Sequence, residues 1–252
     1  MRQATNSLAT KEHKENKDVE NKSGLLFRSF FWRAKEAYFC RPLLFTYFPC
    51  RAGENIDVKS QYLGRDFSSL LKPKSEFLGY IGSDYQRLRI TFTSIAQDKK
   101  DHAVYRVRGY SVVKANTNGF EGIIVVDKIS RLREMHYGAD DELKNAGIQA
   151  EGILTAKYEL RENPEQKHSG KFTGTMTLNW YVPQNGKLLC DDIEDYSDNY
   201  NNNQYAGIWT AYKSRIENKV ANWGEYRIPF SGDLDIGAGE FSANPKYKDR
   251  GW

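Results

Sequence analysis

Apolar and polar positions alternate with a period of two through much of residues 86–213. In 86–96, Leu88, Ile90 and Phe92 fall on one side. In 103–114, Tyr105 and Val107 alternate with Arg106 and Arg108. In 152–160 the apolar set is Leu154, Ala156, Tyr158 and Leu160. Residues 171–181 are the clearest case: Phe172, Gly174, Met176, Leu178 and Trp180 alternate with Lys171, Thr173, Thr175, Thr177 and Asn179. Successive side chains of a strand point to opposite faces, so each segment predicts a strand with one buried face. Ile123-Ile124-Val125-Val126, within 120–129, is continuously apolar and predicts a strand covered on both faces. Segments 206–213 and 225–230 extend the series.

Turn chemistry separates these segments. Asn116-Thr117-Asn118-Gly119, Asn163-Pro164, His168-Ser169-Gly170 and Gln184-Asn185-Gly186 all suit tight reversals. Asn185-Gly186 is the strongest hairpin signal. Residues 136–147 predict a short helix or an ordered loop. Gly122, Gly152, Gly174 and Gly207 recur at strand starts, with irregular spacings of 30, 22 and 33 residues. That irregularity excludes a solenoid or propeller. Glycines inside strands mark bulges or sharp curvature, as barrel closure requires. About seven to nine hairpin-joined strands predict an all-β fold, an antiparallel up-and-down β-barrel before a sandwich.

The strand pattern covers one domain, 54–252, behind a leader, 1–53. Residues 1–23 are rich in Lys, Glu and Asn and predict disorder. In 25–41, Leu26, Phe27, Phe30, Phe31, Ala34, Ala37 and Tyr38 share one helical face, with Arg28, Arg33, Lys35 and Glu36 opposite. This is a basic amphipathic helix, suited to peripheral membrane contact or to packing on the body. Pro42 stops it. The apolar run 43–50, followed by Arg51-Ala52-Gly53, is a marginal export signal. The next Met after Met1 is Met135. An exported location, periplasmic or in the cell envelope, is favoured over the cytoplasm.

Charge sharpens the division. The chain's net charge is +4, yet residues 1–53 hold ten Lys and Arg against five Asp and Glu. The body is therefore close to −1, and a nucleic-acid partner is not expected. Cys40, Cys50 and Cys190 are odd in number and lack close spacing, against a disulfide framework or a structural zinc site. His13, His102, His136 and His168 show no metal-ligand spacing and are expected to face solvent. No GxSxG, phosphate-binding or HExxH motif occurs.

Two acidic stretches remain. Residues 191–198 hold five carboxylates, and Asp195, Ser197 and Asn199 mimic the alternating oxygens of a calcium loop. The other candidate set is Asp233, Asp235 and Glu240. No cofactor is expected beyond this weak case for Ca²⁺. Trp180, Trp209, Tyr212, Trp223, Glu225 and Arg227 are the candidate ligand-binding residues, aromatic walls with two polar anchors. An aromatic core with a salt bridge is the competing reading.

Asn201-Asn-Asn203-Gln204, Gly207-Ile-Trp209-Thr-Ala-Tyr212-Lys213, Asn222-Trp-Gly-Glu-Tyr-Arg-Ile-Pro229 and Gly232-Asp-Leu-Asp-Ile-Gly-Ala-Gly-Glu240-Phe241 together resemble a family of uncharacterised Bacteroidetes-type bacterial proteins. The resemblance extends upstream through Gly79-Tyr-Ile-Gly82 and Arg108-Gly109-Tyr110. It implies a lipocalin-like or avidin-like barrel, often exported, and no known activity. The leading expectation is a non-catalytic barrel binding a small apolar or amphipathic ligand. The alternatives are a packed structural or assembly barrel of the envelope, and a carbohydrate-active enzyme using Glu225 with Asp233 or Glu240.

Overall fold

A computed structural model describes residues 55–213 and 218–252. The leader, with its amphipathic stretch 25–41, its apolar run 43–50, Cys40, Cys50 and His13, lies outside the described residues. The elements are β1 (Ile56–Asp57), α1 (Lys59–Tyr62), α2 (Ser68–Leu71), β2 (Leu78–Ile81), β3 (Gln86–Gln97), β4 (Val104–Val113), β5 (Asn116–Arg131), β6 (Ala150–Glu162), β7 (Gly170–Val182), β8 (Leu189–Cys190), β9 (Asn202–Ala211) and β10 (Asn218–Glu225).

Every pairing is antiparallel. The order β5-β4-β3-β2-β10-β9-β7-β6 closes on itself because β6 also pairs with β5. Eight strands thus form an up-and-down barrel, closed by the β10–β2 contact. The short β1 and β8 extend it at the rim, on β5 and β7. Closure leaves the eight strands in a ring without a free side, which antiparallel β proteins otherwise have to protect.

The period-two segments become strands with the expected inward sets. Leu88, Ile90, Phe92, Leu154, Ala156, Tyr158, Leu160, Phe172, Met176, Leu178 and Trp180 are all buried. Three expectations are corrected. Ile123 is exposed while Ile124 and Val126 are buried, so β5 has one solvent face there. Asn116–Gly119 belongs to β5, and the reversal sits at Lys114, with φ 54°. No strand runs over 225–230: β10 ends at Glu225, Tyr226 has φ 65°, and Arg227 N–H turns back to the Glu225 carbonyl at 2.7 Å. Asn185-Gly186 does turn the chain, from β7 into β8.

The interior is filled by aromatic rings set opposite glycines. Across neighbouring strands Phe120 faces Gly109, Trp180 faces Gly152, Tyr158 faces Gly174 and Trp223 faces Gly79. A Cβ added to Gly174 would meet the Ala206 carbonyl at 2.1 Å and the Tyr158 hydroxyl at 2.8 Å. Its partner Gly207 would meet the Thr173 carbonyl at 2.2 Å and the same hydroxyl at 2.5 Å. Small residues facing large ones let a narrow eight-strand barrel fill without voids. Tyr205 stacks on Trp223 with centroids 5.0 Å apart, and Tyr158 meets both edge-on at 5.4 and 5.2 Å. Each such contact contributes about 0.5–1.5 kcal/mol beyond its buried area.

Residues 58–77 cross the upper rim, where β3, β5, β7 and β10 end. Val58 N–H bonds Ile129, Tyr62 and Phe67 pack on Trp180, Leu70 accepts from Asn203, and Phe77 meets Phe92 and Tyr205. After β10, residues 226–252 strap the outer wall. Ile228 and Leu234 cover Tyr80, while Trp252 stacks under Arg87 and bonds the Tyr85 carbonyl.

Replacing Gly174 or Gly207 with Ala is expected to cost about 3 kcal/mol or more, since backbone oxygen on the next strand blocks the methyl. Gly119→Ala, whose Cβ would lie 4.0 Å from its nearest neighbour, serves as the control and shifts stability by only about 0.5 kcal/mol. Urea denaturation checks this; equal midpoints for all three variants would refute the close-packing argument.

Candidate functional site

The densest unexplained chemistry lies on the outer side of the upper rim. Glu151 follows Ala150 at the start of β6. Its neighbours Ala150 and Gly152 are on the lumen side, so its own side chain leaves the barrel wall. It is nevertheless only 2% exposed, because the 132–149 loop folds over it. His136, in that loop, donates its backbone N–H to Glu151 Oε2 at 2.6 Å. Its ring Nδ1 lies 2.6 Å from Oε1. His136 is therefore not the solvent-facing histidine expected from sequence.

Asp191, just after β8, accepts the Ile193 N–H through its side chain at 3.2 Å. Burial, then the neighbouring Glu151 charge, pushes the Asp191 carboxyl up to about 7, against the pull of Ile193 N–H and His136. The segment is anchored from behind. Asn202 Nδ2 donates to the Asp191 carbonyl at 3.2 Å, the Asn179 carbonyl at 3.1 Å and Cys190 Sγ at 3.1 Å. Tyr200 donates its hydroxyl to the Asp191 carbonyl. Burial and the Glu225 charge push the Cys190 thiol up to about 12, so it stays an unreactive thiol.

A second buried carboxylate closes the lower rim. Glu162 accepts from the Ser111 hydroxyl, from Gly170 N–H at 2.7 Å and from Trp209 Nε1 at 3.0 Å. Burial raises its pKa while these donors oppose the rise. It ties β4, β6, β7 and β9 together, and its oxygens are already engaged.

The sequence candidates are dispersed rather than gathered at one mouth. Trp180 and Trp223 are fully buried in the core. Trp209 is engaged by Glu162 at the other end. Tyr212 lies beyond β9 and is exposed. Glu225 points inward and accepts from Lys74 N–H at 2.6 Å and Asn203 Nδ2 at 2.8 Å, fixing the rim-crossing segment. Arg227 sits outside, held to Asp235 at 2.6 Å and to the carbonyls of Gly237, Ala238 and Gly239.

The acidic candidates diverge too. Asp233 binds Lys246 and Tyr247. Asp235 serves Arg227 and the N–H groups of Gly237 and Ser242. Glu240 is exposed. Among the described residues, no group of three or more His, Cys, Asp or Glu is placed to hold a metal ion.

Two open grooves mark the surface. One, about 280 Å³, lies between α2 and β3 and is lined by Ser68, Lys72, Thr93 and Ser94. The other, about 590 Å³, lies on the outer wall near Arg106, Arg108, Glu121 and Arg161. Neither includes the Glu151 cluster. Comparison with protein-family models, curated proteins and solved structures returned no match.

Sequence reasoning missed Glu151 because its partner His136 lies 15 positions away, in a loop without periodic pattern. The one local signal was a carboxylate beside the Gly152 strand start.

Arg227→Ala is expected to destabilise the protein by about 2–4 kcal/mol, because it leaves Asp235 buried without its cation. Arg227→Lys recovers only part of this, since an ammonium lacks the planar fork that reaches Asp235 and three carbonyls together. Thermal unfolding of both variants checks the order; full recovery by Lys would contradict it.

Proposed function

We propose that this chain is a non-catalytic assembly or binding module whose barrel is a solid scaffold and whose partner is met at the rim loops or outer wall. The observation that carries this reading is the occupancy of the lumen. Tyr158, Phe172, Tyr205 and Trp223 meet at its centre, none more than 3% exposed. A ligand-carrying barrel of this size keeps its centre open and lines it. Here the rings that would line such a space fill it instead, so an apolar ligand inside is the less favoured reading.

The carbohydrate-enzyme reading is weaker again. Glu225 is held inward by backbone N–H groups, while Asp233 and Glu240 belong to the outer strap. They share no cleft in which two carboxylates flank a sugar. An envelope role, in keeping with the resemblance to exported bacterial barrels, fits a scaffold whose wall carries both charges in pairs such as Arg108–Glu121 and Arg161–Glu159.

Native mass spectrometry of the full chain, purified without denaturation, tests the proposal. The expected mass is that of the polypeptide alone or of a protein assembly. An organic mass increment that disappears on denaturation would overturn the solid-scaffold reading in favour of a carried ligand.

A further inference from the structure

We propose that the outer-wall groove over β3 to β6 is a docking surface for an extended acidic protein segment that carries aliphatic side chains between its carboxylates. This inference rests on the assembly reading and names the surface and the chemistry of the partner.

The ladder registers build the groove. Arg106 on β4 stands between Ala96 of β3 and Ile123 of β5, and Ile123 stands beside Glu159 of β6. Two residues along, the matching row is Ser94, Arg108, Glu121 and Arg161. Both rows line one space of about 590 Å³. Ala96 and Ile123 are short, so the long arginine and glutamate side chains rise around an aliphatic floor. Ile123 is 37% exposed there, although it lies in the middle of a sheet. Tyr110, the next outward residue of β4, is exposed as well.

Charge selects the partner. Lys157 and Lys171 stand on the same wall, and Asp98 borders it. The wall thus carries five cations against three anions, on a body whose net charge is close to −1. Arg106 pairs with Asp98 at 2.8 Å, Arg108 with Glu121 at 3.1 Å, and Arg161 with Glu159 at 2.6 Å. These pairs still leave the three arginine side chains 71%, 70% and 68% exposed. Exposed pairs contribute only about 0–1 kcal/mol each, so an incoming carboxylate shares or replaces a partner at little cost. Glu159 already shows such sharing, because it also meets Lys171 at 3.5 Å. The planar guanidinium fork suits a carboxylate in particular.

Spacing and lining narrow the choice. Arg106 and Arg108 lie two residues apart on one face of a strand, about 6.7 Å. Alternate side chains of an extended segment repeat at that distance, so two of its carboxylates meet both arginines. The residue between them projects to the other side of the segment, over β5 and Ile123. A strand cannot be added here, because the closed ring offers no free edge, and recognition passes through side chains. Among the described residues no aromatic ring lines the groove, so it lacks the faces on which nucleic-acid bases stack.

Amide NMR titration of the ¹⁵N-labelled full chain with an end-blocked hexapeptide alternating Asp and Val tests the proposal. Saturating shifts are expected at 106–108, 121–123 and 159–161, with affinity falling about fivefold or more between ~0.05 M and ~0.5 M salt. The analogue alternating Asn and Val is expected not to bind. Arg108→Glu combined with Arg161→Glu is expected to weaken binding about tenfold or more, with a thermal midpoint within a few degrees of wild type because both sites are exposed. No saturation with the Asp peptide, equal shifts with the Asn peptide, or unchanged affinity in the double variant would overturn it. Tighter binding of heparin or of an oligothymidylate than of the Asp peptide would overturn the assignment to a protein partner. The two readings fail separately. A protein assembly in native mass spectrometry without peptide binding ends this inference alone, whereas peptide binding by a chain that carries an organic mass inside ends the solid-scaffold reading alone.

Discussion

The structure depends on one steric exchange, a ring on one strand lying where the next strand has only a hydrogen. Tyr158 reaches over Gly174 and Gly207, Trp180 over Gly152, Phe120 over Gly109, and Trp223 over Gly79. An eight-strand barrel has room for about one layer of side chains inside. Rings on every strand would not fit, and glycines throughout would leave voids. Alternation of the two fills the space and lets the strands coil tightly enough to close. It also explains why the β10–β2 seam closes the ring with so short a β2. Ala221 faces Ile81 and Trp223 faces Gly79, so each of these seam pairs sets a large side chain against a small one.

The charged groups lie at the ends and on the outer wall, while the Tyr158 and Tyr205 hydroxyls and Trp223 Nε1 are buried in the centre without a hydrogen-bond partner. Glu162 closes the lower rim with donors from three other strands. Glu225 fixes the segment that crosses the upper rim. Arg227 and Asp235 fasten the outer strap. Glu162, Glu225 and Asp235 have their oxygens engaged by donors of the fold, as burial of charge demands, whereas Arg227 keeps its Nε buried without a partner. Glu151 differs in being held by a loop rather than by strands: the His136 backbone N–H and ring Nδ1 both lie 2.6 Å from its oxygens.

The barrel was legible because its signal is local. Period-two alternation in 171–181 and 152–160 survives in the structure almost residue for residue, and the glycines at 122, 152, 174 and 207 mark where strands approach closely. What was not legible depends on contacts distant in sequence. Residues 58–77 have no strand pattern, and their role as a cap follows from Glu225 and Asn203, more than 120 positions on. The expected strand at 225–230 fails because Tyr226 adopts a left-handed conformation, which alternation does not reveal. That single turn sends Glu225 inward and Arg227 outward, so two residues expected on one face serve unrelated structures. The aromatic residues Trp180 and Trp223 were visible as a cluster, but composition alone does not distinguish a lined pocket from a filled one.

The central claim is that the lumen is full. The most direct measurement is a crystal structure under xenon pressure, because xenon enters apolar cavities without needing polar contacts and is seen at low occupancy. No xenon site is expected among Tyr158, Phe172, Tyr205 and Trp223. A xenon atom bound between these rings would contradict the account, and would return the barrel to the class of proteins that carry a ligand inside.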